Sequence, residues 1–89
     1  MDHVNITVFG KVQGVNFRHH TREKALTLSI NGFVENHDDG TVYIEAEGDS
    51  VKLQQFVKWC RDGSPRATVN QVESETGEFK GYSSFEIRR

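Results

Sequence analysis

The 89-residue sequence predicts an α+β sandwich, with two helices on one face of an antiparallel-dominated sheet, and three observations lead there. Apolar residues alternate in several short segments, the period of half-buried strands. Two longer stretches carry apolar residues at helical spacing instead. Breaks at Gly10 to Gly14, Asn31-Gly32, Asp39-Gly40 and Gly63-Ser64-Pro65 separate these segments into the order β-α-β-β-α-β, with a short strand added at the end.

Each element has its own signal. Val4, Ile6 and Val8 alternate with Asn5, Thr7 and Phe9 and mark the first strand. After the loop GKVQG, Phe17, Thr21, Ala25 and Leu28 share one helical face, which predicts a helix from Phe17 to Ser29. Asn31-Gly32 is the expected stop, since both residues tolerate positive φ. Phe33 to Asn36 reads as a strand, Asp39-Gly40 as a tight hairpin turn, and Thr41 to Glu47 as the return strand. Asp49 is a predicted N-cap for a second helix with the apolar stripe Leu53, Phe56, Val57 and Cys60. Val69 and Val72 mark a fourth strand whose spacing of three predicts a bulge or a shifted register, and Phe85 with Ile87 marks the last. This is the ferredoxin-like, split βαβ plan.

Composition narrows the function classes. Residues 1–89 make one domain, because a chain this short has no room for a second core. A net charge of −2 offers no general attraction to nucleic acid or anionic lipid, so any bound anion needs a local arrangement. The single cysteine, Cys60, excludes an internal disulfide and a cysteine-based zinc site. No segment reads as a signal peptide or a membrane span. We therefore expect a cytoplasmic monomer with no metal, no cofactor, and no nucleic-acid or membrane partner.

The segment GKVQGVNFR, Gly10 to Arg18, joins a strand end to a helix start. Two glycines let the backbone curl so that successive N–H groups form an anion nest. The free amides of the helix's first turn add partial positive charge at the same place. Arg18 adds a planar guanidinium fork that matches phosphate oxygens. From the residues alone, a connecting loop with a solvated arginine stands beside the phosphate reading.

Geometry brings Asn36 to the same end of the sheet. A helix from Phe17 to Ser29 descends roughly 18 Å at about 1.5 Å per residue. A strand from Asn31 to Asn36 climbs back roughly 17 Å at about 3.3 Å per residue. Asn36 should thus finish level with Arg18, on the helix-covered face that it shares with Val34, while Glu35 points away. On its own Asn36 reads first as a turn residue in the run Asn-His-Asp-Asp-Gly. Beside an anion nest, its neutral carboxamide can donate to and accept from a water.

These two segments, GKVQGVNFR and GFVENHDDGTVYIEAEG (Gly32 to Gly48), resemble the signature segments of the acylphosphatase family. The resemblance continues through GSPRATVNQVE and the closing SSFEIRR. It implies metal-free hydrolysis of an acyl phosphate to a carboxylate and inorganic phosphate. It also implies that the backbone of Gln13, Gly14, Val15, Asn16, Phe17 and Arg18 cradles the phosphate, that Arg18 binds it, and that Asn36 orients the water. Three residues depart from the family pattern: Asn16 in a variable slot often held by Gly, Ser29 where Gly is frequent, and Glu35 where a basic or neutral residue is usual.

Other features compete with this reading. His19-His20 and His37-Asp38 suggest a metal, but adjacent helical residues project about 100° apart and make poor partners for one ion. We read these histidines, with Arg22, Lys24, Arg88 and Arg89, as solvated charges, and Cys60 as core. RNA-recognition domains share the topology and stack bases on aromatic residues of an open sheet face. Phe9, Phe33 and Tyr43 would lie on that face, but so would Glu35, Glu45 and Glu47, which repel a phosphate backbone. A non-catalytic acylphosphatase-like binding domain is the remaining alternative. GKVQGVN lacks the Gly-Lys-Ser/Thr ending of a nucleotide-binding Walker loop.

Overall fold

A computed structural model describes residues 1–89. In chain order its elements are β1 (Asp2–Lys11), α1 (Phe17–Thr27), β2 (Asn31–Asn36), β3 (Val42–Gly48), α2 (Ser50–Asp62), β4 (Thr68–Thr76) and β5 (Phe85–Arg88). The sheet order is β4-β1-β3-β2-β5. β5 runs parallel to β2 and every other pair is antiparallel. This is the ferredoxin-like sandwich that the periodicity predicts.

Register follows from burial. Val4, Ile6 and Val8 of β1 pair with Ala46, Ile44 and Val42 of β3, and Val34 of β2 pairs with Ile44. With period 2, these side chains share one face, on which Phe17, Ala25, Leu53, Phe56 and Cys60 from the helices complete the buried core. Phe17 stacks on Trp59, which stacks in turn on Phe56, so the start of α1 is anchored against α2. The expected β4 bulge is present: Phe9 pairs with Gln71 but Gly10 with Val69.

Two boundaries differ from expectation. α1 stops at Thr27, and the left-handed residue that ends it is Ser29, at φ 56°. Ser29 N–H donates to Leu26 O at 3.2 Å and Ile30 N–H to Ala25 O at 2.9 Å, the paired bonds of a Schellman stop. Ser29 thus occupies a conformation that suits glycine, at the position where the family frequently has one. Asn31 and Gly32 already belong to β2. Gly32 serves a different need there, because a Cβ would lie 1.8 Å from Glu45 O on the neighbouring strand. The hairpin between β2 and β3 is also looser than a tight turn. It spans residues 37–41 and is closed by His37 N–H to Thr41 O at 2.9 Å and Gly40 N–H to His37 O at 3.1 Å.

A feature that the periodicity does not predict lies on the second sheet face, which is partly covered. Residues 77–84, between β4 and β5, cross it as a strap. Glu47 accepts the amides of Lys80, Gly81 and Tyr82 at 2.6, 2.9 and 2.9 Å, and its carboxylate also meets His3 Nδ1 at 2.7 Å. Glu45 accepts from Tyr43, Tyr82 and Lys80. Phe33 lies against the Tyr43 and Tyr82 rings with the Arg88 guanidinium 3.8 Å from its ring centre, and is buried. An aromatic sandwiched in this way is not free to stack a base.

Candidate active site

The loop after β1 is fixed at both flanks by burial, since Val12 and Phe17 are each 1% exposed. Between these anchors Gly14 has φ 74° and Asn16 has φ 62°. Left-handed residues interleaved with ordinary ones turn successive amides to the same side, the geometry of an anion nest. The six amides from Gly14 to His19 donate to no backbone carbonyl, and the first such bond is His20 N–H to Asn16 O at 3.1 Å. Asn16 occupies the N-cap position of α1 without a side-chain capping bond, and no acidic residue lies in the first turn. The positive end of the helix is therefore left uncompensated. Asn16 suits its slot because asparagine tolerates the left-handed region better than most residues.

Arg18 and Asn36 line the same two adjoining cavities, of about 850 and 250 Å³. Arg18 Nη1 donates to Arg88 O at 2.9 Å, a bond from α1 to the end of β5 that orients the guanidinium. The larger cavity adds Gln13, His37, Asp38, Ile87 and Arg89, and the smaller one adds Gly14, Asn16, Phe17 and His19. Asn36 pairs with Val42 in the β2–β3 ladder, on the helix-covered side, as its parity requires. Its Oδ1 is buried and accepts no hydrogen bond from the chain. A buried acceptor without a partner costs stability, and the residue that carries this one lines both cavities beside Arg18.

Some residues that the motif brings together have other roles. The Gln13 side chain turns to the hairpin, where Nε2 donates to His37 O and Thr41 O at 2.7 and 2.9 Å. Glu35 faces away from the cavities, opposite Tyr43, and its carboxylate accepts from His37 Nε2 at 2.9 Å. His19 and His20 lie outside the centre of the site and reach Glu23 at 3.3 and 3.8 Å on the exposed face of α1. Cys60 is fully buried, and burial pushes its thiol well above the usual range. No three His, Cys, Asp or Glu side chains converge as a metal-ligand set.

The sequence reading missed the part of the site supplied by β5. Ile87 lines both cavities, Arg88 supplies the carbonyl that holds Arg18, and Arg89 lines the larger cavity. Arg88 and Arg89 are thus more than solvated charges, as is Arg22, whose Nε donates to Phe85 O at 3.3 Å. The alternation of Phe85 and Ile87 predicts a strand, but nothing local says that it pairs in parallel beside β2, next to the start of α1.

Comparison with known proteins agrees with this geometry. The family model described as Acylphosphatase matches residues 4–87. The chain belongs to the acylphosphatase family. It is 45% identical over 82 residues to the acylphosphatase of Pelotomaculum thermopropionicum, covering 88% of this chain and 89% of that one. It is also 45% identical over 84 residues to the acylphosphatase of Archaeoglobus fulgidus, covering 94% of each. The crystal structure of acylphosphatase from Bacillus subtilis superposes over the full length of both chains with a TM-score of 0.97 at 37% identity. These acylphosphatase relatives match nearly their whole length, so the resemblance extends well beyond the loop and the hairpin.

Proposed function

We propose that this acylphosphatase-family chain hydrolyses acyl phosphates at the nest, with Arg18 and Asn36 in separate roles. The activity follows from family membership, and the roles follow from local chemistry. The Gly14–His19 amides and the Arg18 fork hold the phosphoryl oxygens, because both present donors to a concentrated negative charge. Asn36 holds the attacking water through its carboxamide and places it in line with the bond that breaks. Attack forms a bond from the water oxygen to phosphorus while the phosphorus–oxygen bond to the acyl group breaks. The products are a carboxylate, inorganic phosphate and one proton, which a phosphoryl oxygen can accept. A carboxylate leaves without protonation, so the site needs no general acid, and the rate comes from positioning and charge stabilisation.

The placement of Asn36 carries this reading, because it lines both cavities together with Arg18. We read the chain as a single 1–89 domain that acts as a cytoplasmic monomer on small molecules, without nucleic-acid or membrane partners. None of its helices is long and apolar enough to cross a membrane. Acetyl phosphate incubated with the purified protein should release acetate at the same rate with EDTA as without it. Loss of turnover in chelator, restored by a divalent ion, would overturn the metal-free mechanism. Saturable phosphate binding without turnover would instead support a binding domain.

A further inference from the structure

We propose that the Gln13 side chain is a positioning residue, a clamp that holds the phosphate loop and the Asn36 hairpin at one separation. The proposal deepens the reading above and rests on Asn36 as the holder of water. Gln13 immediately precedes Gly14 in the loop whose amides lack backbone acceptors, and His37 immediately follows Asn36. The strands that end at these two points are not neighbours, because β3 lies between β1 and β2. Two strand spacings of about 4.8 Å separate their ends, and no ladder bond joins them directly. The Gln13 carboxamide crosses that gap, placing one N–H on His37 O at 2.7 Å and the other on Thr41 O at 2.9 Å.

The hairpin does not need these bonds in order to close. His37 O already accepts Gly40 N–H, and Thr41 O already accepts His37 N–H. Each carbonyl has a second lone pair, and Gln13 uses both of these spare positions. The two extra bonds therefore contribute register between segments rather than closure of the turn. A primary amide suits the task, since it carries two donors on one nitrogen and no charge beside the bound phosphate. In-line attack is sensitive to displacements well below the length of a bond to water, so a linkage of this kind acts on turnover more than on binding.

Gln13→Met keeps the length of the side chain and removes both donors, while the turn retains its own bonds. Gln13→Leu, of similar bulk and with neither donors nor charge, is the second variant and covers a folding failure of the first. Each is assayed with acetyl phosphate, and inorganic phosphate affinity is read from the melting temperature. The expected result is a folded protein with kcat lowered roughly 10- to 100-fold and with KM and phosphate affinity nearly unchanged. In an Asn36→Ala background, Gln13→Met should cost little more, because both substitutions act on one water. Wild-type kcat in a folded Gln13 variant, with Asn36→Ala impaired, overturns the clamp alone. A parallel fall in phosphate affinity, or an undiminished effect without Asn36, overturns it as well, since Gln13 would then act on the nest. Wild-type kcat in Asn36→Ala overturns the water assignment, and the clamp falls with it.

Discussion

Two regions of this chain surround an oxyanion position with backbone amides, and they differ in who supplies the oxyanion. On the strap, the successive amides of Lys80, Gly81 and Tyr82 converge on the Glu47 carboxylate, a side chain of the same molecule. In the loop after β1, the amides from Gly14 to His19 find no backbone carbonyl to receive them. The chemistry is alike, but the consequences are opposite. The first arrangement joins the strap to the sheet and favours folding. The second leaves its donors facing solvent, where they are free to meet the ligand proposed for the nest.

Emptying the open region of its side chains should produce the largest effect. Arg18→Ala removes the only guanidinium that lines both cavities, so kcat/KM for acetyl phosphate should fall roughly 10³-fold or more. Arg18→Lys should recover little, because a point charge cannot replace a bidentate fork. Asn36→Ala should lower kcat by roughly 10²-fold, the cost of one oriented group, with phosphate affinity retained. Neither substitution should lower the melting temperature much, since Asn36 Oδ1 already lacks a partner and Arg18 makes one exposed bond. Equal losses of phosphate affinity in the two alanine variants would refute the division of roles.

The closed region should respond in the other way. Glu47 is 3% exposed, so Glu47→Ala strands the buried His3 ring and three part-buried amides. Removing one partner from such a network costs about 3 kcal/mol or more. For a domain of this size, at 4–8 °C per kcal/mol, the melting temperature should drop by at least about 12 °C. Acid adds a second axis. Burial, the largest single influence on Glu47, raises its pKa. Hydrogen bonds from the Lys80 amide, His3, and the Tyr82 and Gly81 amides together outweigh it and hold the carboxyl below the usual range. A carboxyl with a lowered folded pKa contributes stability that is complete well above the unfolded value of about 4.3 and is lost as pH falls through the folded value. Urea midpoints should therefore fall as the pH drops below about 5, and Glu47→Gln should flatten that slope. An unchanged slope in the variant would mean that Glu47 does not control acid sensitivity.

The site was more legible in the sequence than the strap, for a physical reason. The motif from Gly10 to Arg18 is contiguous, and Asn36 reaches it by the counted lengths of one helix and one strand. Both calculations use only rise per residue and parity. Glu45 and Glu47 read instead as the polar face of a half-exposed strand, because alternation cannot distinguish water from a crossing segment. Their partners, Lys80 to Tyr82, lie more than thirty residues away in a stretch without periodicity. Ser29 was missed as the left-handed stop because Asn31-Gly32 carries the stronger local signal for one. The Gln13 bonds were hidden for a related reason, as no spacing rule places a side chain on carbonyls 24 and 28 residues ahead.

The smallest expected effect sharpens the contrast most, because it asks whether an external anion can do for the open nest what Glu47 does for the strap. If phosphate binds only the folded chain, ten times its dissociation constant should stabilise the native state by about 1.4 kcal/mol. For this size of domain the melting temperature should rise by about 6–11 °C. Phosphate is also excluded from protein surfaces and stabilises many proteins without a site, so the raw shift is not decisive. Sulfate and chloride at matched ionic strength separate the two effects, since exclusion grows steadily with concentration whereas a site saturates. The wild type should show a saturable gain, Asn36→Ala should keep most of it, and Arg18→Ala should retain only the shallow, unsaturating part. Glu47→Ala should show the same phosphate gain from a lower starting temperature, because its defect lies on the other sheet face. A full, saturable gain in Arg18→Ala would place the phosphate somewhere other than the loop.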